Sequence, residues 1–216
     1  MQRRGDVLRA AIDEVGDNNR QVDEFMLALE KGDPIAIARY FQLVFQQSQY
    51  PAGFPKKYKV AYIADSRQLV VECQIPTIDE IVPSVEKYKY AKSADEILET
   101  RKPEKIRQQL YSDAVSSTAL RTLQEIFASD TYNHIDVTVL NAFVDTIDRS
   151  TGQPIQPYIL STRTTRDEFE KLVLRNVDPT ACLKRMTATI SRSPAELVPI
   201  KPIVDFNMVD LSLIHI

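Results

Sequence analysis

An excess of positive charge, histidine, paired cysteines and long apolar runs are all scarce or missing in this chain, and each shortage removes a class of function. Against 27 Lys and Arg stand 30 Asp and Glu. No global field therefore draws the chain to nucleic acid or to an anionic membrane, and any DNA contact has to come from a local patch. The only cysteines are Cys73 and Cys182, and the only histidines His134 and His215. Without a Cys-x-x-Cys and with so little imidazole, a zinc site or a Cys/His nucleophile pair lacks material. Both cysteines sit in apolar-periodic surroundings and read as buried thiols of a reducing cytosol. No apolar run approaches the roughly 20 residues that span a bilayer, and no signal peptide is visible, so the expectation is a cytoplasmic protein without a membrane partner.

What is present is enough for a core: 44% of the 216 residues are hydrophobic, and their spacing is ordered. The first 50 residues have helical period. Val7, Leu8, Ala11, Ile12 and Val15 form one stripe; Val22, Phe25, Met26 and Leu29 form a second at i, i+3, i+4, i+7. Gly16-Asp17-Asn18-Asn19 is expected to break the two apart. Gly32-Asp33-Pro34 reads as a helix stop, an N-cap and a first-turn proline, launching a helix with Ile37, Tyr40, Phe41, Val44 and Phe45. These helices are expected to pack on the α+β region after residue 50 or to pair with a second copy, giving a homo-oligomer.

After Tyr50-Pro51 the period changes from helical to alternating. A hairpin is predicted across Asp65-Ser66-Arg67, with Leu69, Val71, Cys73 and Ile75 on one face and Gln68, Glu72 and Gln74 facing solvent. Residues 85–92 alternate Lys87 and Lys89 against Tyr88 and Tyr90, the pattern of a solvated edge strand. Pro103 opens a long helix to about Ser129 whose apolar positions Val115, Ala119, Leu120, Leu123, Ile126 and Phe127 cover an arc wide enough to pack on more than one side. One strand is expected along Ile135, Val137, Val139, Phe143 and Ile147, with its return at 155–165 and a glycine-bearing loop at 148–153. Short helices are predicted at 166–171 and 178–185, and an extended, proline-rich linker from Ser193 onward. Strands grouped around one long helix make the fold class α+β, with antiparallel hairpins packed on that helix.

Several segments, in this order, resemble the region upstream of the catalytic domain in Mrr-type restriction endonucleases. They are Tyr50-Pro51 with Phe54-Pro55, the hairpin at 60–72, the run 88–93, Phe143-Val144-Asp145-Thr146-Ile147-Asp148 with Thr151-Gly152, Thr162-Arg163-Thr164-Thr165-Arg166-Asp167, Val177-Asp178-Pro179, Cys182-Leu183-Lys184 and 191–197. The likeness covers roughly residues 32–210, and Asp205-Phe206-Asn207-Met208-Val209-Asp210 is similar to the junction leading into the nuclease. Periodicity marks a helical N-terminal segment at 1–50 and an α+β domain at 51–193; the resemblance makes that domain an accessory one and implies a linker at 194–210 and a nuclease domain missing beyond it. Residues 211–216 are expected to be a non-native tail. In that family the chemistry belongs to a PD-(D/E)xK phosphodiesterase with Mg²⁺ as its cofactor, where carboxylates hold the cation and a lysine steadies the attacking water. This chain has no acidic residue two positions before a lysine and no Gln-x-Lys. The implied role is therefore non-catalytic: positioning or restraining a nuclease that defends against foreign or modified DNA, with no catalytic or metal-binding residue here. A stand-alone protein-interaction module is the alternative.

The segment best suited to DNA is Arg163, Thr164, Thr165 and Arg166, where hydroxyls and guanidinium groups at a strand-to-helix junction match phosphate oxygens. Lys184, Arg185 and Arg192 are expected to extend this patch. The plainer reading is that arginines beside Asp167 and Glu168 form surface ion pairs. Asp65 with Glu72-Cys73-Gln74 imitates a divergent metal site, but a polar turn residue and the solvent face of a strand account for it. Asn141 and Asp145 share the parity of Val139 and Phe143, a polar interruption that reads as a functional pocket or, more simply, as strand ends and local backbone hydrogen bonds. His134 reads as a surface residue at a strand start.

Overall fold

The computed structural model describes residues 2–51, 53–93 and 95–206, with side chains given from Val15 onward. The stripe residues Val7, Leu8, Ala11 and Ile12, the end of the junction at 207–210 and the tail at 211–216 fall outside those described side chains. The class is α+β.

Helix α1 runs unbroken over Gln2–Glu30, so the expected interruption at Gly16 does not occur. One exposed glycine costs a helix only about 1 kcal/mol relative to alanine, too little to divide a run this long. The real stop is at Gly32. Its φ of +79° closes the helix through Gly32 N–H to Leu29 O (3.0 Å) and Asp33 N–H to Ala28 O (3.0 Å), a paired carbonyl cap. Asp33 then accepts from the Ala36 amide at 2.8 Å and starts helix α2, Pro34–Gln47. Ile37, Phe41 and Phe45 of α2 are fully buried, each contributing about 1.5–3 kcal/mol. α2 thus packs into the same core as the sheet.

Strands β1 (Tyr58–Ile63) and β2 (Gln68–Gln74) form the predicted hairpin. A 3-10 turn at Ala64–Ser66 followed by left-handed Arg67 (φ 48°) reverses the chain. A short helix α3 (Ile78–Ile81) leads to strands β3 (Val85–Ala91) and β4 (Glu96–Arg101), which pair only with each other. Helix α4 (Glu104–Ser129) buries the predicted arc together with Tyr111, Ser116 and Thr122. It touches α2, α3 and the sheet, which explains the breadth of that arc.

The strand expected through Ile147 divides in two. β5 (Val137–Phe143) joins the main sheet, and β6 (Thr146–Ile147) pairs instead with β7 (Pro154–Ile155). A register shift accompanies the division: Ala142 pairs with Leu160 and Phe143 with Tyr158, which leaves Ile159 of β8 as an extra residue that breaks the ladder there. β8 (Tyr158–Thr165) returns antiparallel to β5. Then come α5 (Arg166–Glu170), α6 (Pro179–Arg185) and β9 (Thr189–Ile190).

The main sheet has the order β1-β2-β5-β8-β9. All its pairs are antiparallel except β2 with β5, since α4 carries the chain back to its starting side. The inner face packs on α2 and α4 around Val60, Leu69, Val71, Leu140 and Leu160. The outer face carries a second, smaller cluster of Ala61, Val70, Val139 and Phe206. Residues 194–206, expected as an extended linker, are instead docked on the domain. Pro194 is buried, Ile200 N–H donates to Tyr158 O at 2.9 Å, and Phe206 covers the outer face.

Candidate functional site

One line of register crosses the main sheet through Lys59, Glu72, Asn141, Ser161 and Thr189, each the partner of the next. Partners across a sheet point to the same face, so alternation places this polar row outward, opposite the apolar row of β2. The expectation of a solvated Glu72 is nonetheless overturned: it is 1% exposed. Lys59 Nζ donates to Oε2 at 3.0 Å, and the Tyr158 hydroxyl donates to Oε1. Burial, and next the hydrogen bond to Glu72, push the Tyr158 phenol above its ordinary pKa and keep it a donor.

The row is closed by the chain's own later residues. Asn141 Nδ2 donates to Val204 O at 2.8 Å, Ser161 Oγ donates to Asn141 Oδ1 at 2.7 Å, and Ile203 N–H donates to Ser161 Oγ at 2.9 Å. Lys59 Nζ lies 5.7 Å from the centroid of the Phe206 ring. Asp145 binds Lys57 Nζ at 2.9 Å. Partial burial raises its pKa, but hydrogen bonds from Lys57 and Gln156 outweigh that and hold it below the usual carboxylate range. The local backbone contact expected for Asn141 is replaced by a distant one, to Val204 O, 63 residues along the chain. The sequence signal for this network is the polar parity shared by Glu72 and Asn141; what alternation cannot supply is the cover.

This arrangement orders chain and does not resemble a reaction centre. Both oxygens of Glu72 are engaged by an ammonium and a phenol, and Asp65 lies at the exposed turn at the other end of the hairpin. No group of three or more His, Cys, Asp or Glu among the described residues could hold a metal ion. A catalytic Mg²⁺ does not fit these donors, because a carboxylate already neutralised by lysine is a poor ligand for a hard cation.

The residues expected to meet DNA are distributed unevenly. Arg163 is exposed on the outer face of β8, and Lys184, Arg185 and Arg192 are exposed at the end of α6 and after β9. Thr164 is 1% exposed on the inner face, where no phosphate reaches it. Thr165 is the N-cap of α5: its hydroxyl accepts from Glu168 N–H at 3.3 Å and its own amide donates back to Glu168, so these two junction amides are already satisfied.

Arg166 is an internal strut. Its Nε donates to Ile135 O (3.1 Å), Nη1 to Phe127 O (3.4 Å) and to Glu170 (3.3 Å), and Nη2 to Asp130. Its guanidinium also stacks 5.1 Å from the Phe127 ring centroid. Asp130 in turn accepts from the His134 and Ile135 amides at 3.0 and 2.9 Å. The structure thus groups Arg166 with α4 and the start of β5 and leaves Arg163, Lys184, Arg185 and Arg192 toward solvent.

His134 is half-buried, its ring packed on Gly32 and its Nε2 2.9 Å from Leu29 O. It fastens α1 to β5, and among the described residues its ring bonds no acidic or basic side chain. Cys73 and Cys182 are buried free thiols, as the sequence predicts. No helix among the described residues is long and apolar enough to cross a membrane. Neither a family model nor a curated protein matches this chain.

Proposed function

We propose that the chain is the non-catalytic accessory region of an Mrr-type restriction endonuclease, one that positions or restrains the nuclease on foreign or modified DNA in the cytoplasm. The observation that carries the reading is the state of the sheet's acidic group. Glu72 is locked between Lys59 and Tyr158, while Arg163, Lys184, Arg185 and Arg192 stay exposed. Such a surface suits phosphate contact without phosphodiester chemistry. The family-like order of segments from Tyr50-Pro51 to the junction at 205–210 supports it. Mg²⁺ belongs to the nuclease domain that the resemblance implies, not to these residues.

Self-association through α1 is the second element of the proposal. Val15, Val22, Met26 and Leu27 are 58, 59, 43 and 50% exposed along it, an apolar surface that a second copy would cover.

Salt-dependent gel shifts with the purified chain test the reading. Binding is expected to weaken as salt rises, with a shallower slope when Arg163 is replaced by alanine. Plasmid cleavage by this chain in the presence of magnesium would refute the non-catalytic assignment.

A further inference from the structure

Helix α1 meets its own domain only at its C-terminal end. Among its described side chains Phe25, Ala28 and Leu29 pack against the core, whereas every residue from Val15 to Glu24 is exposed. A helix without tertiary cover is marginal in water, and Gly16, Asp17, Asn18 and Asn19 are poor helix formers that weaken it further. The domain supplies no cover for this stretch.

The spacing along α1 identifies what does. Leu8, Ile12, Val15, Asn19, Val22, Met26 and Leu29 follow one another at alternating steps of four and three residues, the spacing of the a and d positions of a heptad repeat. Val15, Val22 and Met26 are 58, 59 and 43% exposed, and Leu29 is buried in the domain, so the free seam ends at Met26. The alternative repeat through Asn18 and Phe25 is excluded, because Phe25 turns to the core and lies 5.5 Å from the Arg39 guanidinium. At about 100° per residue, the seam faces roughly 90° round the helix from the side that carries Phe25, Ala28 and Leu29. A helix laid on the seam is therefore turned away from the side that meets the domain.

Asn19 selects the partner. It is the single polar member of the seam and stands at an a position. An asparagine buried there is matched by another asparagine when two identical helices lie parallel and in register. An antiparallel or shifted copy sets its amide against valine or methionine side chains, as an unrelated apolar helix does, and leaves it unsatisfied.

We propose that α1 pairs with α1 of a second copy as a short parallel two-stranded coiled coil, the two Asn19 side chains facing each other and fixing the register. Both domains then lie at the same end of the pair, on opposite sides of it, about one two-fold axis. The inference rests on the self-association proposed above and adds its orientation, its register and the residue that sets them.

The test uses the full chain carrying Asn19→Cys, oxidised with copper phenanthroline and read on a non-reducing gel, alongside sedimentation velocity of the wild type. Cys73 and Cys182 are buried and contribute little background. Glu24→Cys, on the opposite side of the helix from the seam, is the control. Asn19→Cys is expected to pass mostly into covalent dimer, since facing a positions lie close enough to join, while Glu24→Cys stays uncrosslinked. Val15→Asp with Val22→Asp is expected to raise the dissociation constant of the dimer at least ~10-fold, because it buries unpaired carboxylates in the seam; both positions are exposed in the single copy, so melting of the domain should be unchanged. Asn19→Val is expected to tighten association and to admit oligomers larger than two. A wild-type dimer in which Asn19→Cys does not cross-link, or Glu24→Cys cross-links as readily, overturns the parallel register and leaves self-association standing. A dimer unaffected by the paired aspartates overturns the seam, and a chain that stays monomeric at every concentration overturns both the seam and the self-association.

Discussion

Replacing Arg166 by alanine separates a structural arginine from a phosphate-binding one. The side chain is 16% exposed and its partner Asp130 only 4%, so the ion pair is largely removed from water. Breaking a buried pair from one side costs about 3–5 kcal/mol, because the remaining charge is stranded. Asp130 keeps the amides of His134 and Ile135, which places the loss near the low end, about 3 kcal/mol. The change also leaves the Phe127 and Ile135 carbonyls without their guanidinium donor. For a chain of 216 residues that corresponds to a fall in Tm of roughly 6–12 °C. Thermal melts by circular dichroism and urea midpoints measure it. Arg166→Lys should restore only part, since an ammonium cannot fork among Asp130 and two carbonyls at once. A double-mutant cycle with Asp130→Asn should show coupling above about 1 kcal/mol. If Arg166→Ala melts within about 1 °C of wild type and instead loses DNA affinity with a reduced salt slope, the strut interpretation is wrong.

The same geometry sets three further outcomes. Ser161→Ala removes the acceptor of Ile203 N–H, and the loss of about 1 kcal/mol should speed hydrogen exchange at that amide roughly fivefold; unchanged exchange would mean the docked segment does not depend on this bond. Asp145 titrates below the usual carboxylate range, so its contribution is present above the unfolded-state pKa and is lost as pH falls through the folded value. Urea midpoints should accordingly drop more steeply on acidification in wild type than in Lys57→Ala, and parallel acid limbs would contradict the Lys57 contact. Burial, reinforced by Glu72, pushes the Cys73 thiol up to about 12, so an aromatic disulfide reagent at mildly alkaline pH should modify it only after denaturation; fast labelling of native protein would show the β2 core to be open.

Residues that act on near neighbours are legible in the sequence. The 3.6-residue spacing of Ile37, Phe41 and Phe45 and the arc from Val115 to Phe127 announce α2 and α4, and both bury those positions. The turn at Asp65-Ser66-Arg67 and the alternation of β2 announce the first hairpin. β4 is not legible, because Glu-Ile-Leu-Glu-Thr-Arg has no alternation and is recognisable as a strand only through its pairing with β3. Gly16 misleads, since a local propensity penalty is small beside the length of the helix around it. Residue type alone points Thr164 and Arg166 toward DNA, whereas parity puts Thr164 inside and Asp130 draws Arg166 inward.

By itself, the sequence determined one cap and the main periods: Asp33 before Pro34, the helix stop at Gly32 and the in-out order of β2. Each depends on groups a few residues apart, which any local conformation brings together. Only the tertiary structure decided which polar groups remain in water. Glu72 is enclosed by Tyr158, 86 residues along the chain, and Asn141 by Val204, 63 residues along. The strand period says that the two share a face; what covers that face depends on where a distant segment comes to rest.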